Sequence, residues 1–188
     1  MDPLSDIEDR RLAALHSYQI LDTPNEERFD RIVRMASRVF GSPIALVSLV
    51  DRDRQWFKAS VGLDVKQTPR AISFCTHAIQ QKGVYVVADA AADLRFAENP
   101  LVTGEPRIGF YAGAPIITVE GYAIGTVCVI DHLPWTEFPD FAKEALQDYA
   151  GAIAEWLETE RAVRLLRDEN ARLRAELETL RKTPAIAR

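Results

Sequence analysis

The spacing of apolar residues changes several times along the chain, and each period predicts a different type of secondary structure. Residues 23–40 place apolar side chains every three or four positions, which predicts an amphipathic helix. Thr23 suits its cap, Glu26 suits the capping-box partner and Gly41 suits its end. A shorter helix is expected around residues 12–15. The apolar face of the longer helix would consist of Phe29, Ile32, Val33, Ala36, Val39 and Phe40.

Short apolar runs bounded by turn residues predict strands in the middle of the chain. The run PIALVSLVD is apolar on both alternations, which is typical of a central strand covered on both faces. A short helix is expected at 73–83. Residues 89–109 show no sustained period, and so long an irregular segment is typical of a lid or binding loop. The predicted strands are 43–51, 54–62, 84–89, 110–117 and 123–131, with one hairpin at 43–62 and a second turning at Glu120 and Gly121.

A helical pattern runs from about residue 139 to 182 and carries a second, narrower stripe. Forty residues would extend about 60 Å, farther than a small domain can cover. With Val163 at position a of a heptad, Glu169 and Glu176 occupy g positions, facing arginines at e positions of a parallel partner. The stripe predicts a parallel homodimer; the alternative is a helix folded back on its own domain. The predicted dimer interface is Val163, Leu166, Asn170, Leu173, Leu177 and Leu180.

The order of these elements indicates an α+β fold with an antiparallel sheet flanked by helices. We divide the chain into an N-terminal helical segment (1–22), a sheet domain (23–158), a coiled-coil extension (159–182) and a tail (183–188). Of the 188 residues, 47% are hydrophobic and 27% charged, as in ordinary globular proteins.

Charge and cysteine content narrow the function classes. The net charge is −5, and the basic excess from residue 159 onward flanks a hydrophobic stripe, so the sequence does not favour nucleic-acid binding. Two cysteines, Cys75 and Cys128, supply neither a disulfide framework nor a four-cysteine zinc site, and no metal site is expected. The sequence contains neither a membrane-spanning run nor a secretory leader pattern. We therefore expect a cytoplasmic protein without a membrane partner.

Several segments together resemble one known family. They are LDTPNEERFDRIVRMASRVFGSPIALVSLVDRDRQWFKASVGLD (21–64), TPRAISFCTHAI (68–79), VADAAADLRFAENPLVTG (88–104), FYAGAPI (110–116) and GYAIGTVCVID (121–131). In this order and spacing they are similar to the GAF domains found beside bacterial kinases and cyclic-dinucleotide enzymes. The resemblance implies an antiparallel sheet of five or six strands, terminal helices on one face, and a pocket on the other roofed by the short helix and the long loop.

Candidate ligand-binding residues follow from strand alternation and from the loop. Ser48, Thr126 and Cys128 are placed on the inward face of strands, where they could orient a ligand or pack against the short helix. Asp89, Asp93 and Arg95 could bind a polar ligand or fix the loop, and fixing it is the favoured role of Asp93 and Arg95. The remaining candidates are Cys75, His77, Phe96, Phe110 and Tyr111, for which packing in the core is the alternative.

The resemblance also implies candidate activities. Bilin-binding members attach the chromophore to a cysteine followed directly by histidine, whereas Thr76 separates Cys75 from His77 here, so no covalent bilin is expected. The leading hypothesis is a non-enzymatic sensory module that binds a small ligand of unknown identity and signals through its dimeric helix. Its output would lie in the dimer or in a separate protein. The alternatives are a thiol-dependent free methionine sulfoxide reductase and a ligand-free dimerisation domain.

Overall fold

A computed structural model describes the backbone of residues 3–182 and the side chains of 6–179 and 181. The predicted tail, 183–188, and the side chain of Leu180 lie outside the described residues. The helices are α1 (Pro3–Ser17), α2 (Glu27–Phe40), α3 (Phe74–Ala78), α4 (Pro100–Thr103) and α5 (Asp140–Lys182), with a 3₁₀ turn at Arg70–Ile72. The strands are β1 (Ile44–Val50), β2 (Arg54–Val61), β3 (Gln67–Pro69), β4 (Tyr85–Val87), β5 (Phe110–Ile117) and β6 (Ala123–Asp131).

The six strands form one antiparallel sheet in the order β3-β2-β1-β6-β5-β4. Strand β1 lies near the centre and every one of its residues is buried, as expected for a strand covered on both faces. Consecutive residues alternate between the faces: Ala45, Val47 and Leu49 point to one core, whereas Ile44 and Leu46 point to the other. The predicted α+β fold with an antiparallel sheet is confirmed.

Helices α1, α2 and α5 cover one face of the sheet, which we call the helix face. Leu15 of α1, Phe29 and Val33 of α2, and Leu146 and Ile153 of α5 are buried together in one apolar cluster. Helix α3 and the segment 89–109 cover the other face, which we call the cavity face. The sheet therefore separates two cores, and the terminal helices lie on the side that the family resemblance implied.

The beginning of α2 differs from the prediction. The helix starts at Glu27 after an extended Glu26, and no side chain caps it, so the predicted capping box between Thr23 and Glu26 is wrong. Thr23 Oγ1 instead donates to the Ile20 carbonyl and accepts a 2.8 Å hydrogen bond from Lys58 Nζ. Glu26 forms an ion pair of 2.5 Å with the same ammonium group. Leaving the buried ammonium group of Lys58 unpaired would cost more free energy than leaving the start of α2 without a side-chain cap.

Other boundaries also shift. Gly41 ends α2 in the left-handed conformation at φ 65°, as predicted. Val39 was expected on the apolar face, but it lies in the last turn of α2 and its side chain is 60% exposed, so this part of the prediction is wrong. The short helix expected at 73–83 ends at Ala78, and the segment 89–109 contains the single turn α4.

Helix α5 spans 43 residues and is about 65 Å long. Up to Arg164 it contacts the domain, where the Arg164 guanidinium donates to the Tyr18 carbonyl at 3.0 Å. From residue 165 to 179 every side chain is exposed. The alternative of a helix folded back on its own domain is therefore wrong for this chain. None of the helices described has the length and apolar character needed to cross a membrane.

Candidate ligand cavity

A cavity of about 370 Å³ lies between the cavity face of the sheet and the segments that cover it. This volume is at the lower end of the range usual for small-molecule sites. Sheet residues form its floor, α3 and α4 form part of its roof, and residues 62–65 and 105–106 line it as well. The lining comprises Ile44, Leu46, Gln55, Phe57, Gly62, Leu63, Asp64, Val65, Thr68, Phe74, Cys75, Leu101, Glu105, Pro106, Ile108, Tyr111, Ile130 and His132.

Strand alternation builds the floor. Ile44 and Leu46 of β1, Tyr111 of β5 and Ile130 of β6 point to the same side because alternate residues of neighbouring strands share a face. The ring of Tyr111 extends along its own strand over Gly113: a Cβ built on Gly113 would come within 2.2 Å of the phenol oxygen. A glycine at position 113 is therefore what allows the tyrosine to lie flat on the sheet.

Aromatic stacking and one asparagine hold the roof. The rings of Phe74 on α3 and Phe96 on the long segment stack with their centroids 4.0 Å apart. Asn99 donates from Nδ2 to the Ile72 carbonyl at 3.0 Å and accepts from the Leu101 backbone, which also caps α4. These contacts join the segment 89–109 to the turn before α3, so the two parts of the roof form one layer.

A buried polar network crosses the sheet beside the cavity. The Gln55 amide donates to Thr68 Oγ1 at 2.6 Å and its carbonyl accepts from Ser73 Oγ at 2.5 Å, with Ser48 Oγ at 3.4 Å. Ser48, Gln55 and Ser73 are all buried. Because both ends of the Gln55 amide are hydrogen-bonded within the protein, this network orients β2, β3 and α3 relative to one another.

Two thiols meet at the wall of the cavity. The Tyr111 hydroxyl donates to Cys75 Sγ at 3.5 Å. Hydrogen bonding from the Cys128 thiol lowers the pKa of Cys75 to about 6, opposed by burial and helped by the hydroxyls of Thr126, Tyr111 and Ser48. The pKa of Cys128 is raised well above its ordinary value, because its proton is committed to Cys75 and because it is buried. Cys75 is thus the more acidic thiol of the pair, and it faces the cavity.

Five of the predicted site residues come together here. Cys75 and Tyr111 line the cavity, whereas Ser48, Thr126 and Cys128 are fully buried on the same side of the sheet, next to the thiol pair. The sequence placed the three strand residues on the inward face, and the structure shows the same orientation. It also brings Cys75 and Cys128 into contact, although they belong to a helix and a strand more than fifty positions apart.

The loop residues fix the loop. Asp89 Oδ1 accepts from the backbone amides of Ala91 and Ala92 at 3.1 Å. Asp93 pairs with Arg95 at 2.5 Å and accepts from its backbone, and hydrogen bonding to Arg95 lowers the pKa of Asp93. Neither aspartate lines the cavity. Asp89, Asp93 and Arg95 thus lie outside the lining of this cavity, and their contacts fix the loop, which is the alternative role considered for them.

Three aromatic or imidazole candidates also lie away from the cavity. Phe96 is buried behind Phe74 in the roof. His77 lies over a small polar cleft beside Arg52 and Arg70, outside the cavity. Phe110 points to the helix face, where its ring stacks on Trp135 with a centroid separation of 4.2 Å. Adjacent residues of a strand face opposite ways, so Phe110 and Tyr111 could not both reach one ligand.

The sequence reasoning missed several lining residues. Gln55 and Phe57 alternate on β2 and thus share the cavity face, a signal that the sequence carried. His132 follows β6, and its Nδ1 donates to the Pro106 carbonyl at 2.7 Å. That contact joins residues 26 positions apart and left no local trace in the sequence. Among the described residues, no group of three or more His, Cys, Asp or Glu could hold a metal ion.

Comparison with known proteins identifies the family. The GAF domain model matches residues 24–155. The chain belongs to the GAF domain family. Over 132 residues it is 51% identical to a cyclic di-GMP phosphodiesterase of Pseudomonas aeruginosa. The aligned region covers 70% of this chain but only 22% of that enzyme. The chain therefore corresponds to about a fifth of its relative.

Solved GAF structures have the same fold. The GAF domain of the Acinetobacter phosphoenolpyruvate-protein phosphotransferase superposes with a TM-score of 0.61 at 18% identity, covering 87% of this chain and 98% of that one. A domain described as part of a two-component sensor histidine kinase of Sinorhizobium meliloti superposes with a TM-score of 0.59 at 18% identity, covering 78% and 99%. At this identity they support the fold alone. The family match and the Pseudomonas aeruginosa relative, rather than these solved structures, place the chain among the GAF domains.

Proposed function

We propose that this GAF domain binds a small ligand in the cavity and passes its bound state to α5, which pairs with a second copy as a parallel coiled coil. The observation that carries the proposal is the combination of a partly open cavity on one face of the sheet with a helix that leaves the other face and stays uncovered. A sensor of this kind works when the ligand binds two packings of the domain with different affinity.

A physical connection between cavity and helix supports the relay. Strands β5 and β6 contribute Tyr111 and Ile130 to the cavity, and the hairpin that joins them reaches α5. At the hairpin, Glu120 pairs with Arg161 of α5 at 2.7 Å, and the Val119 amide donates to Glu158 at 3.1 Å. A shift of the sheet on ligand binding would therefore act on α5 where it leaves the domain.

The uncovered part of α5 supports the dimer. Val163, Leu166, Leu173 and Leu177 are 40%, 63%, 46% and 55% exposed. An exposed apolar stripe at heptad spacing gains most by packing against its own copy, and the glutamates at g with arginines at e favour a parallel pair. Asn170 lies within the stripe, where its amide donates to the Leu166 carbonyl. In a parallel pair the two copies of Asn170 would face each other.

Light scattering on matched leucine variants tests the dimer. Leu173→Lys puts a charge into the proposed seam and should yield a monomer. Leu165→Lys places the same charge on a leucine that is 56% exposed but outside the seam, and it should remain a dimer. A monomeric wild type, or equal dissociation by both variants, would exclude the coiled coil.

We place the protein in the cytoplasm and expect its output in a separate signalling protein. The similarity to part of a cyclic di-GMP phosphodiesterase supports an output in cyclic-dinucleotide signalling. The net negative charge does not favour nucleic acid or an anionic membrane surface as partner.

A second candidate function is thiol-dependent reduction of free methionine sulfoxide. It is favoured by the contact between Cys75 and Cys128 at the cavity wall, where the lowered pKa of Cys75 would supply a thiolate. Turnover of free methionine sulfoxide with a thiol reductant tests it: activity in the wild type that Cys75→Ser abolishes would establish the enzyme. Absence of turnover in a wild type that still binds small molecules would exclude the reductase and retain the sensory function.

A further inference from the structure

The charge distribution around the cavity restricts what it can bind. We infer that the cavity selects an uncharged, largely apolar molecule and rejects anions, including the phosphates of nucleotides. This inference rests on the proposed function, because it names the class of ligand for the same cavity. It also separates the ligand from the cyclic dinucleotide named for the relative, which would bring two phosphates.

The walls are largely apolar, and apart from the His132 imidazole no side chain of the described lining could carry a positive charge. Most lining residues are aliphatic or aromatic, and they include Leu46, Phe57, Phe74, Ile108 and Ile130. No lysine or arginine is among the lining residues that the structure describes. An anion buried without a positive partner loses its hydration and gains little in return, which makes its binding unfavourable.

The nearest cationic side chains in sequence are engaged outside the cavity. Lys66 follows two lining residues, but its ammonium group donates to Asn25 Oδ1 at 3.0 Å. Arg107 follows Pro106, and it is 76% exposed and lies 3.6 Å from the carboxylate of Glu105. Neither one would meet a ligand on the floor of the sheet without leaving its present partner.

The charges that do line the cavity are negative. Asp64 and Glu105 are both exposed and belong to the segments at its edge. The charge of Glu105 is largely offset by Arg107, whereas Asp64 adds a negative charge that repels an approaching anion and leaves an uncharged molecule unaffected. The negative charge at the edge and the lack of a lysine or arginine in the wall therefore both disfavour the binding of an anion.

Two polar groups at the inner wall already have hydrogen-bond partners within the protein. Gln55 has both ends of its amide hydrogen-bonded, and the Tyr111 hydroxyl donates to Cys75. These two groups are thus not free to replace the water shell of a phosphate or carboxylate. Apolar contact with the walls remains the main source of affinity.

Two dyes with the same skeleton provide a direct test. N-phenyl-1-naphthylamine is uncharged, and 8-anilinonaphthalene-1-sulfonate adds one sulfonate to it; both fluoresce when transferred to an apolar site. We expect saturable binding of the uncharged dye and at least tenfold weaker binding of the sulfonate. Tenfold corresponds to about 1.4 kcal/mol, less than the cost of burying an unpaired anion.

Three single variants locate the binding and its charge preference. Leu63→Trp fills the edge of the cavity and should abolish binding of the uncharged dye. Val119→Trp adds the same ring at a site that is 79% exposed and away from the cavity, and it should leave binding unchanged. Val65→Lys brings a cation to the lining and should reduce the preference against the sulfonate several-fold. Circular dichroism establishes that each variant is folded.

The outcomes separate this inference from the proposed function. If the wild type binds the sulfonate as tightly as the uncharged dye, and Leu63→Trp abolishes both, the selection of uncharged ligands is wrong while the cavity still binds small molecules. If a folded wild type binds neither dye saturably, the cavity does not admit such molecules and the proposed sensing function fails with it.

Discussion

At the residue scale, the site depends on a few side chains that are tightly packed against one another. Tyr111 is fully buried, and burial raises the pKa of its hydroxyl well above the usual value, with the neighbouring thiols acting in the same direction. It therefore stays protonated and donates to Cys75. Its position is possible because Gly113, two residues later on the same face of β5, has no side chain.

Gly113→Ala should destabilise the protein by about 1–3 kcal/mol, because the added methyl group would lie 2.2 Å from the Tyr111 oxygen. Urea unfolding measures the loss. Gly151→Ala serves as the control: nothing lies within 4 Å of its added Cβ, and alanine favours the helix, so stability should stay equal or rise. Combining Gly113→Ala with Tyr111→Phe should recover part of the loss. Equal stability of the two alanine variants would refute the close approach.

At the scale of elements, carboxylates dock helices onto the sheet domain. Glu8 of α1 accepts two hydrogen bonds from Arg11, at 2.8 and 2.7 Å, and one of 2.6 Å from Arg70 in the turn before α3. Arg11 in turn donates to the Val50 carbonyl at 2.7 Å. Glu8 thereby connects α1, the end of β1 and the segment that leads into the cavity roof.

This contact predicts a pH dependence of stability. Hydrogen bonding to Arg11 is the largest influence on the pKa of Glu8, and with Arg70 it outweighs burial and lowers the pKa from 4.5 to about 2. A carboxylate with a depressed pKa in the folded state stabilises the fold above its unfolded pKa and loses that effect as the pH falls. Stability should thus decrease between about pH 4.5 and 2. In Glu8→Gln this part of the decrease should vanish, whereas Glu105→Gln, at a side chain that is 85% exposed, should keep the wild-type profile. Identical pH profiles for Glu8→Gln and the wild type would contradict the role of Glu8.

The elements also show how far sequence reasoning reaches. The β1–β2 and β5–β6 hairpins, the Gly41 end of α2 and the length of α5 follow from local periodicity and turn residues, and the structure confirms each of them. The start of α2 did not follow, because Thr23 and Glu26 serve the buried Lys58 of a distant strand. Local capping chemistry was overridden by the need to pair a buried charge.

At the scale of the whole molecule, the cavity and the long helix lie on opposite sides of one sheet. Glu158 and Arg161 of α5 contact both Tyr18, the residue after α1, and the β5–β6 hairpin. The Arg161 guanidinium pairs with Glu120 and lies 5.2 Å from the centre of the Tyr18 ring. Helix α5 leaves the domain directly after this junction. In our proposal, this junction is the route by which ligand binding in the cavity affects the coiled coil.

Hydrogen–deuterium exchange tests that route. Saturation with N-phenyl-1-naphthylamine should alter the exchange of α5 residues 165–179 in the wild type. Arg161→Met should bind the dye equally well but lose that change. Arg172→Met removes an arginine on the uncovered part of α5, where it is 71% exposed and pairs only loosely with Glu169 at 3.8 Å, and it should retain the change. An unaltered response in Arg161→Met would exclude the junction as the route.

The sequence by itself determined five of the six strands, the longer helices and their order, because hydrophobic periodicity and turn chemistry are local properties of the chain. The resemblance of its motifs, taken together, indicated the GAF family. It also placed Ser48, Thr126 and Cys128 on the inward face of the sheet. Only the tertiary structure decided that Cys75 meets Cys128, that Phe110 faces the helices, and that Gln55 and His132 lie at the cavity. Those relations depend on how segments far apart in sequence pack over the sheet, and non-local packing leaves no periodic signal in the sequence.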